Sequence, residues 1–324
     1  MRIEFLPPVV ALVTSAACAL VLLRAGLLPM DLPNERSSHR RPVPRAGGLA
    51  IWAGWGAALL ADGRGGAWLW PALTLAAVSL VDDHRGLPVV LRLPVHLLAA
   101  LAFVLACLPD APWALQGALV LAAIWMLNLF NFMDGADGLA ASAALLGFSS
   151  LALASLLAGD DAFFGVTASL AAACLGFLWF NWSPAKVFMG DVGSIPLGFL
   201  AAALGIDGWV RGAWLWWLPV LVFLPFIADA TVTIARRTLR GEQIWRAHRE
   251  HAYQTLIRHG WSHRRVAGGY AALAAGCAAS AIALQHVAPD YGGWLLLAWS
   301  LVLGGLYLWV MRHFPNRSGV ADAA

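Results

Sequence analysis

The sequence predicts an all-α polytopic membrane protein of about eleven transmembrane helices, with its N-terminus outside and its C-terminus in the cytoplasm. Three observations carry this reading. Of the 324 residues, 60% are hydrophobic and 12% charged, about half the charged share of a soluble protein. The apolar residues gather into eleven runs, where a helical span needs roughly 20 residues. The cations collect in alternate loops. Such a composition excludes a cytosolic globular enzyme, a disordered chain and a nucleic-acid module, and makes the lipid bilayer the first partner. The whole chain, 1–324, reads as one integral-membrane domain.

Taken in order, the first run, 6–28, lacks a basic leading segment and a small-residue cleavage site. It therefore reads as a retained span rather than a signal peptide. Runs 47–62 and 67–81 are parted only by Gly63 to Gly66. Runs 94–109, 112–132, 139–158, 162–180, 193–208, 214–235, 266–287 and 292–311 follow. Alternation puts loops 29–46, 82–93, 133–138, 181–192, 236–265 and the C-terminal tail on one side. That side holds 17 of the 21 Lys/Arg; the opposite loops hold only Arg2, Arg64 and Arg211. Positive-inside bias makes the rich side cytoplasmic. The outer acids (Asp62, Asp110, Asp160, Asp161, Asp207, Asp290) look like ordinary loop ends. Cys18, Cys107, Cys174 and Cys277 stand singly in apolar runs and read as packing residues. The absence of an internal repeat weakens the case for an inverted-repeat transporter.

Four polar constellations lie on the cytoplasmic side. Asp82-Asp83 ends the third run. Adjacent carboxylates at a membrane edge repel, and a divalent cation or cationic partner relieves that cost; a solvated loop start is the bland alternative. In Asn128 to Leu139, two glycines permit a turn with exposed N–H groups, and Asp134 and Asp137 are one helical turn apart. Asn128 and Asn131 bring amides into the apolar run before it. The bland alternative there is a glycine turn with an Asp cap. In Phe180 to Ser194, Lys186 is the only lysine, and Asp191 sits between glycines before a new span. A helix N-terminus of this kind binds phosphate, or Asp191 is a plain cap. The 236–265 loop carries eight arginines and four histidines. It either holds anionic headgroups or clamps a diphosphate with bidentate arginines. A zinc site lacks the ligand pattern. Asp229 stands alone inside the ninth run, at a cost of roughly 2.5–3.5 kcal/mol on insertion scales, with a hydrogen bond to a neighbouring span as its simplest explanation.

The order DD, NxxNFxDGxDGL, FNxxPAKVFMGDxGS and a basic loop with HxxH resembles the polyprenyl-phosphate N-acetylhexosamine-1-phosphate transferases. The match runs from about Asp31 to Tyr253 and includes Asn34 to His39 and Pro44 to Gly48. The pentapeptide-transferase branch carries a triple histidine where this chain has Ala247-His248-Arg249-Glu250-His251. Eleven spans and a cytoplasmic C-terminus look more like the branch that primes O-antigen and related glycans. The stretch Ala247 to Gln254 is similar to the subgroup using UDP-N-acetylfucosamine or UDP-N-acetylquinovosamine.

The resemblance implies transfer of N-acetylhexosamine 1-phosphate from a UDP-sugar to undecaprenyl phosphate, with Mg²⁺ as cofactor, Mn²⁺ as its substitute, and a homodimer left open. It maps the metal ligand to Asp191, joined by Asp82. Asp82 and Asp83 map to the paired catalytic carboxylates. His248 and His251 would contact the diphosphate or sugar. Asn181, Asp134, Asp137 and Phe188 would line the nucleotide pocket. Asn128, Asn131, Lys186, Arg45, Arg246 and Arg249 complete the expected substrate-binding set, and Asp229 would support the site from behind. A phosphate monoester, with a second pKa of about 6, needs little help from a carboxylate of reference pKa about 3.9. Metal and phosphate positioning is therefore the favoured role for Asp82 and Asp83, with proton removal by Asp83 or a phospho-Asp intermediate as alternatives. The rival from another class, a transporter or lipid flippase, would spread its acids through the membrane depth. Here they cluster at one face.

Overall fold

The computed structural model describes residues 5–32, 41–243 and 248–314. Helix α1 (Leu6–Ala25) leads to a short antiparallel ribbon of β1 (Met30–Asp31) and β2 (Val43–Pro44). Then come α2 (Leu49–Asp62), α3 (Leu69–Arg85), α4 (Val89–Cys107), α5 (Trp113–Met133), α6 (Leu139–Leu157), α7 (Asp161–Asn181) and α8 (Asp191–Val210). The chain closes with α9 (Trp217–Val222), α10 (Leu224–Leu239), α11 (Ala252–Arg258), α12 (His263–Val287) and α13 (Gly292–His313). Among the described residues, eight helices are long and apolar enough to cross a membrane, and α2 is a shorter apolar helix. The chain is a polytopic all-α membrane protein.

Helix α8 is the axis. In its apolar stretch 94% of residues are buried, against 22% in α1 and 17% in α13. It packs against α3 and α5, while α7 lies between α1 and α6. Close approach at the head of α8 is a matter of glycine. A Cβ on Gly48 would stand 2.4 Å from the Cα of Gly193, so no larger residue lets α2 meet α8 there. Main-chain bonds complete that junction: Phe188 N–H donates to Pro44 O (2.8 Å), Gly47 N–H to Phe188 O and Gly48 N–H to Met189 O (both 2.9 Å).

The ninth apolar run, expected as one span, is broken. Phe223 separates α9 from α10, and Pro225 opens α10. Proline has no N–H to continue the ladder and its ring clashes with the preceding turn. Asp207 is not an ordinary loop end either. It is buried at the far end of α8, accepting from Trp68 Nε1 (3.1 Å) and Arg211 Nε (2.9 Å). Asp160 fits the loop-end reading, capping α7 through Phe163 N–H (2.9 Å).

Charge asymmetry sets the orientation test. In a chain whose native cysteines are replaced, Asp110→Cys in the α4–α5 loop is expected to react with an impermeant maleimide in intact cells. Leu239→Cys, at the end of α10, is expected to react only after permeabilisation. The reverse pattern would invert the orientation.

Candidate active site

The site is organised where α3 ends and α8 begins. Asp83, 4% exposed, accepts from Asp191 N–H (3.2 Å) on Oδ1 and from Val192 N–H (3.0 Å) on Oδ2. It thus caps α8 from another helix, and the positive end of the α8 dipole favours its charge. Gly190 makes the contact feasible. Its φ is +74°, and a Cβ there would lie 2.6 Å from Asp83 Oδ2. Asp191 follows at once, with Oδ1 accepting from Asn131 Nδ2 (2.7 Å); the same amide reaches Ser194 Oγ at 3.2 Å.

Asp82 faces another partner. Its Oδ1 accepts from Leu87 N–H (2.5 Å), and its Oδ2 pairs with Arg92 Nη1 at 2.7 Å. That same Nη1 lies 3.4 Å from Asp191 Oδ2. Arg45 donates to the Asp83 carbonyl, with its Nε 4.0 Å from Asp83 Oδ1. Two arginines therefore border three carboxylates.

The 134–138 turn is stitched to the 181–190 segment. Asn181, 3% exposed, accepts from Gly138 N–H (3.1 Å) and donates to Val187 O (2.9 Å). Asp137 accepts from Ala185 N–H (3.1 Å) and stands 3.2 Å from His263 Nδ1. Burial alone would raise Asp137, but the His263 contacts and the Ala185 N–H hold it below the usual carboxylate range. Asp134 differs: burial, with Asp191 and Asp83 nearby, pushes it well above that range.

A buried carboxylate also anchors the late loop. Asp229 accepts from Ala252 N–H (2.9 Å), Tyr253 N–H (3.3 Å), Thr233 Oγ1 (3.2 Å) and Tyr270 Oη (2.5 Å). It caps α11 as Asp83 caps α8. Four donors offset the cost of the buried charge. His251 is 2% exposed, 3.5 Å from Asp229, with its ring beside Phe132 and Tyr253. Tyr253 Oη donates to Phe132 O (2.9 Å), which ties α11 to the end of α5. Burial first, then His251 and Arg237, lowers His248 to about 4, which leaves a neutral ring at pH 7.

These elements enclose a cavity of about 550 Å³, of ordinary size for a small-molecule site. Arg45, Asp83, Asn131, Asp134, Asp137, Asn181, Phe188, Asp191 and Arg249 line it, together with Asp31, Gln254, Ile257 and Arg258. Of the residues expected from sequence, Asp82, Asn128, Lys186, His248 and His251 are outside this lining. Asn128 Nδ2 donates to Ile124 O in its own helix (2.7 Å), Lys186 is exposed, and Arg246 lies outside the described residues, as do Asn34 to His39. Arg92, Gln254 and Ile257 were not singled out; Arg258 and His263 were signalled only as members of the basic 236–265 loop, and Arg92 only as a cation of the 82–93 loop, ten residues after Asp82.

The model of glycosyl transferase family 4 matches residues 67–209, which span α3 to α8 and hence the carboxylate cluster. The chain is 31% identical over 255 residues to the probable undecaprenyl-phosphate N-acetylglucosaminyl 1-phosphate transferase of Bacillus subtilis (strain 168), covering 72% of this chain and 71% of that one. This chain belongs to glycosyl transferase family 4. Similarity to another member, the decaprenyl-phosphate N-acetylglucosaminephosphotransferase of Mycobacterium tuberculosis (strain ATCC 25618 / H37Rv), is 30% over 298 residues, covering 76% and 73%. With the phospho-N-acetylmuramoyl-pentapeptide-transferase of Deinococcus radiodurans the identity is 39% over 117 residues, covering 35% and 32%. The family 4 enzymes are phosphosugar transferases, and these relatives are bacterial.

Removing the Asp229 cap is expected to loosen the late loop. Asp229→Ala loses several charge-assisted bonds, of about 1.5–3 kcal/mol each before relaxation, so its melting temperature in detergent is expected to fall by several degrees. Limited proteolysis is expected to cut between residues 240 and 260 faster than in the parent. An unchanged cleavage pattern would show that other contacts hold α11.

Proposed function

We propose that this protein transfers an N-acetylhexosamine 1-phosphate from a UDP-sugar to undecaprenyl phosphate in the bacterial cytoplasmic membrane, releasing UMP and priming a cell-surface polysaccharide such as O-antigen. One observation carries the reading. Asp83 and Asp191 meet at the head of α8 and face a cavity that Arg45, Arg249 and Arg258 also line. Two phosphate-bearing substrates must be brought together, so neutralising their charge is the main catalytic task.

Acidic and basic groups divide that task. The arginines would hold the donor diphosphate, since guanidinium matches phosphate oxygens in a bidentate fork. Phe188 offers an aromatic face for uracil. An acceptor phosphate oxygen attacks the sugar-linked phosphorus, a new P–O bond forms, and the bond to UMP breaks. Asp83 engages both oxygens in capping α8, which favours a positioning role over that of a base. His251 and Asp229 would keep α11 and Arg249 against the cavity.

Among the described residues, no three His, Cys, Asp or Glu side chains form a dedicated metal cage. Mg²⁺ needs none, because it binds through one or two carboxylates plus substrate phosphates and water. Asp82 Oδ2 and Asp191 Oδ2 already converge on a single cationic nitrogen, so the donor set fits. Those two residues would hold Mg²⁺, or Mn²⁺ in its place, and the bound ion supplies positive charge to the phosphates.

Purified protein is expected to release UMP from a UDP-N-acetyl sugar only when undecaprenyl phosphate and a divalent cation are present. A panel of such donors identifies the sugar. Asp191→Asn is expected to lose about 100-fold or more of this activity while keeping its melting temperature. Normal turnover by that variant would refute the assignment. Labelled UMP is expected not to enter the UDP-sugar in lipid-stripped preparations; lipid-free exchange abolished by Asp82→Asn or Asp83→Asn would establish a phospho-Asp intermediate instead.

A further inference from the structure

Arg92 is the residue the transfer reaction leaves unexplained. It sits in the first turn of α4, just beyond the Gly86–Pro88 turn that follows α3. Its side chain is 28% exposed, and it does not line the donor cavity. Nη1 reaches Asp82 Oδ2 at 2.7 Å and Asp191 Oδ2 at 3.4 Å. Asp83, the third carboxylate, is answered by two backbone N–H groups and by Arg45. Among the described residues, Asp191 otherwise has the neutral amide of Asn131 on its other oxygen. Without Arg92, Asp82 and Asp191 would face one another with no cation between them, a costly arrangement at a partly desolvated site.

A divalent ion held by the same two carboxylate oxygens would need the place that Nη1 now fills. Two cations cannot share it. We propose that Arg92 is a built-in counter-ion that holds the metal's place in the metal-free enzyme, so that divalent-cation binding and the Arg92 bridge exclude one another. This inference rests on the metal reading given above. It has a stability side and a selectivity side. A cation stands between the two carboxylates in both states, so the site keeps its shape before metal arrives. A bound metal must also outcompete a charge-assisted hydrogen bond, which weak or singly charged ions do poorly.

The test uses Mn²⁺ alone as the probe, with full-length protein in nanodiscs and binding followed by electron paramagnetic resonance. Arg92→Gln is expected to bind Mn²⁺ about tenfold more tightly than the parent, the order set by releasing one charge-assisted bond. Arg85→Gln, which removes a nearby charge that does not touch the carboxylates, is expected to bind as the parent does. In EDTA, Arg92→Gln is expected to melt below the parent and to gain more from added Mn²⁺. A readout on the unaltered chain guards against misfolding of the variant: phenylglyoxal labelling of Arg92, followed by mass spectrometry, is expected to rise when Mn²⁺ is added. Unchanged or weaker Mn²⁺ binding by Arg92→Gln, equal tightening in Arg85→Gln, or labelling that does not rise would each overturn the place-holder role while leaving the metal reading intact. Binding by neither the parent nor Arg92→Gln would overturn both.

Discussion

The architecture depends on one capping interaction, the Asp83 carboxylate on the first N–H groups of α8. A helix begins with orphan donors that need partners, and α8 is too deeply buried to find them in water. Its cap comes from the end of α3, 108 residues earlier in sequence. Much else at the site hangs on this bond. It fixes the start of α8, hence the direction of Asp191, hence the approach of Asn131 from α5 and Arg92 from α4. The residue expected to be one half of a catalytic pair is in this way also the keystone of the helix packing.

The same solution recurs at Asp229. A short helix, α11, takes its cap from a carboxylate on α10, and the tyrosines Tyr253 and Tyr270 close the network around it. The segments that the two caps hold both line one cavity. One presents carboxylates from rigid, buried helices. The other presents Arg249, Gln254, Ile257 and Arg258 from the late loop and α11, which the Asp229 network fastens to the bundle. Basic groups stand in both places, Arg45 and Arg92 beside the carboxylates and Arg249 and Arg258 on the late loop and α11.

Sequence alone made the bundle legible, because apolar runs and cation bias are written locally. Ten of the eleven runs correspond to single helices, and the ninth is the exception, broken at Phe223 ahead of Pro225. The acidic half of the site was legible for the same reason: Asp83, Asp134, Asp137 and Asp191 interrupt apolar text. Partners were not. Nothing near Asn181 in sequence says that its amide joins Gly138 to Val187, and nothing near His263 points to Asp137. Those pairings are set by how α7 and α12 lean on the 134–138 turn, a tertiary fact. Asn128 is the converse case, a polar residue in an apolar run whose amide answers its own helix backbone.

The junction between residues 44–48 and 188–190 has a further meaning for how such an enzyme can change. Its bonds join main chain to main chain, and its tightest approach is between glycines. The frame is therefore indifferent to the side chains it displays. Arg45 and Phe188 both project from this frame into the cavity, yet neither side chain supplies the bonds that join the two strands of the junction. Exchanging Phe188 changes a wall of the cavity without unpicking these main-chain bonds, whereas Arg45 is itself tied to Asp83. A scaffold built in this manner separates heritable shape from adjustable lining, and it offers a designer one dial, Phe188, whose turning leaves the main-chain foundation untouched.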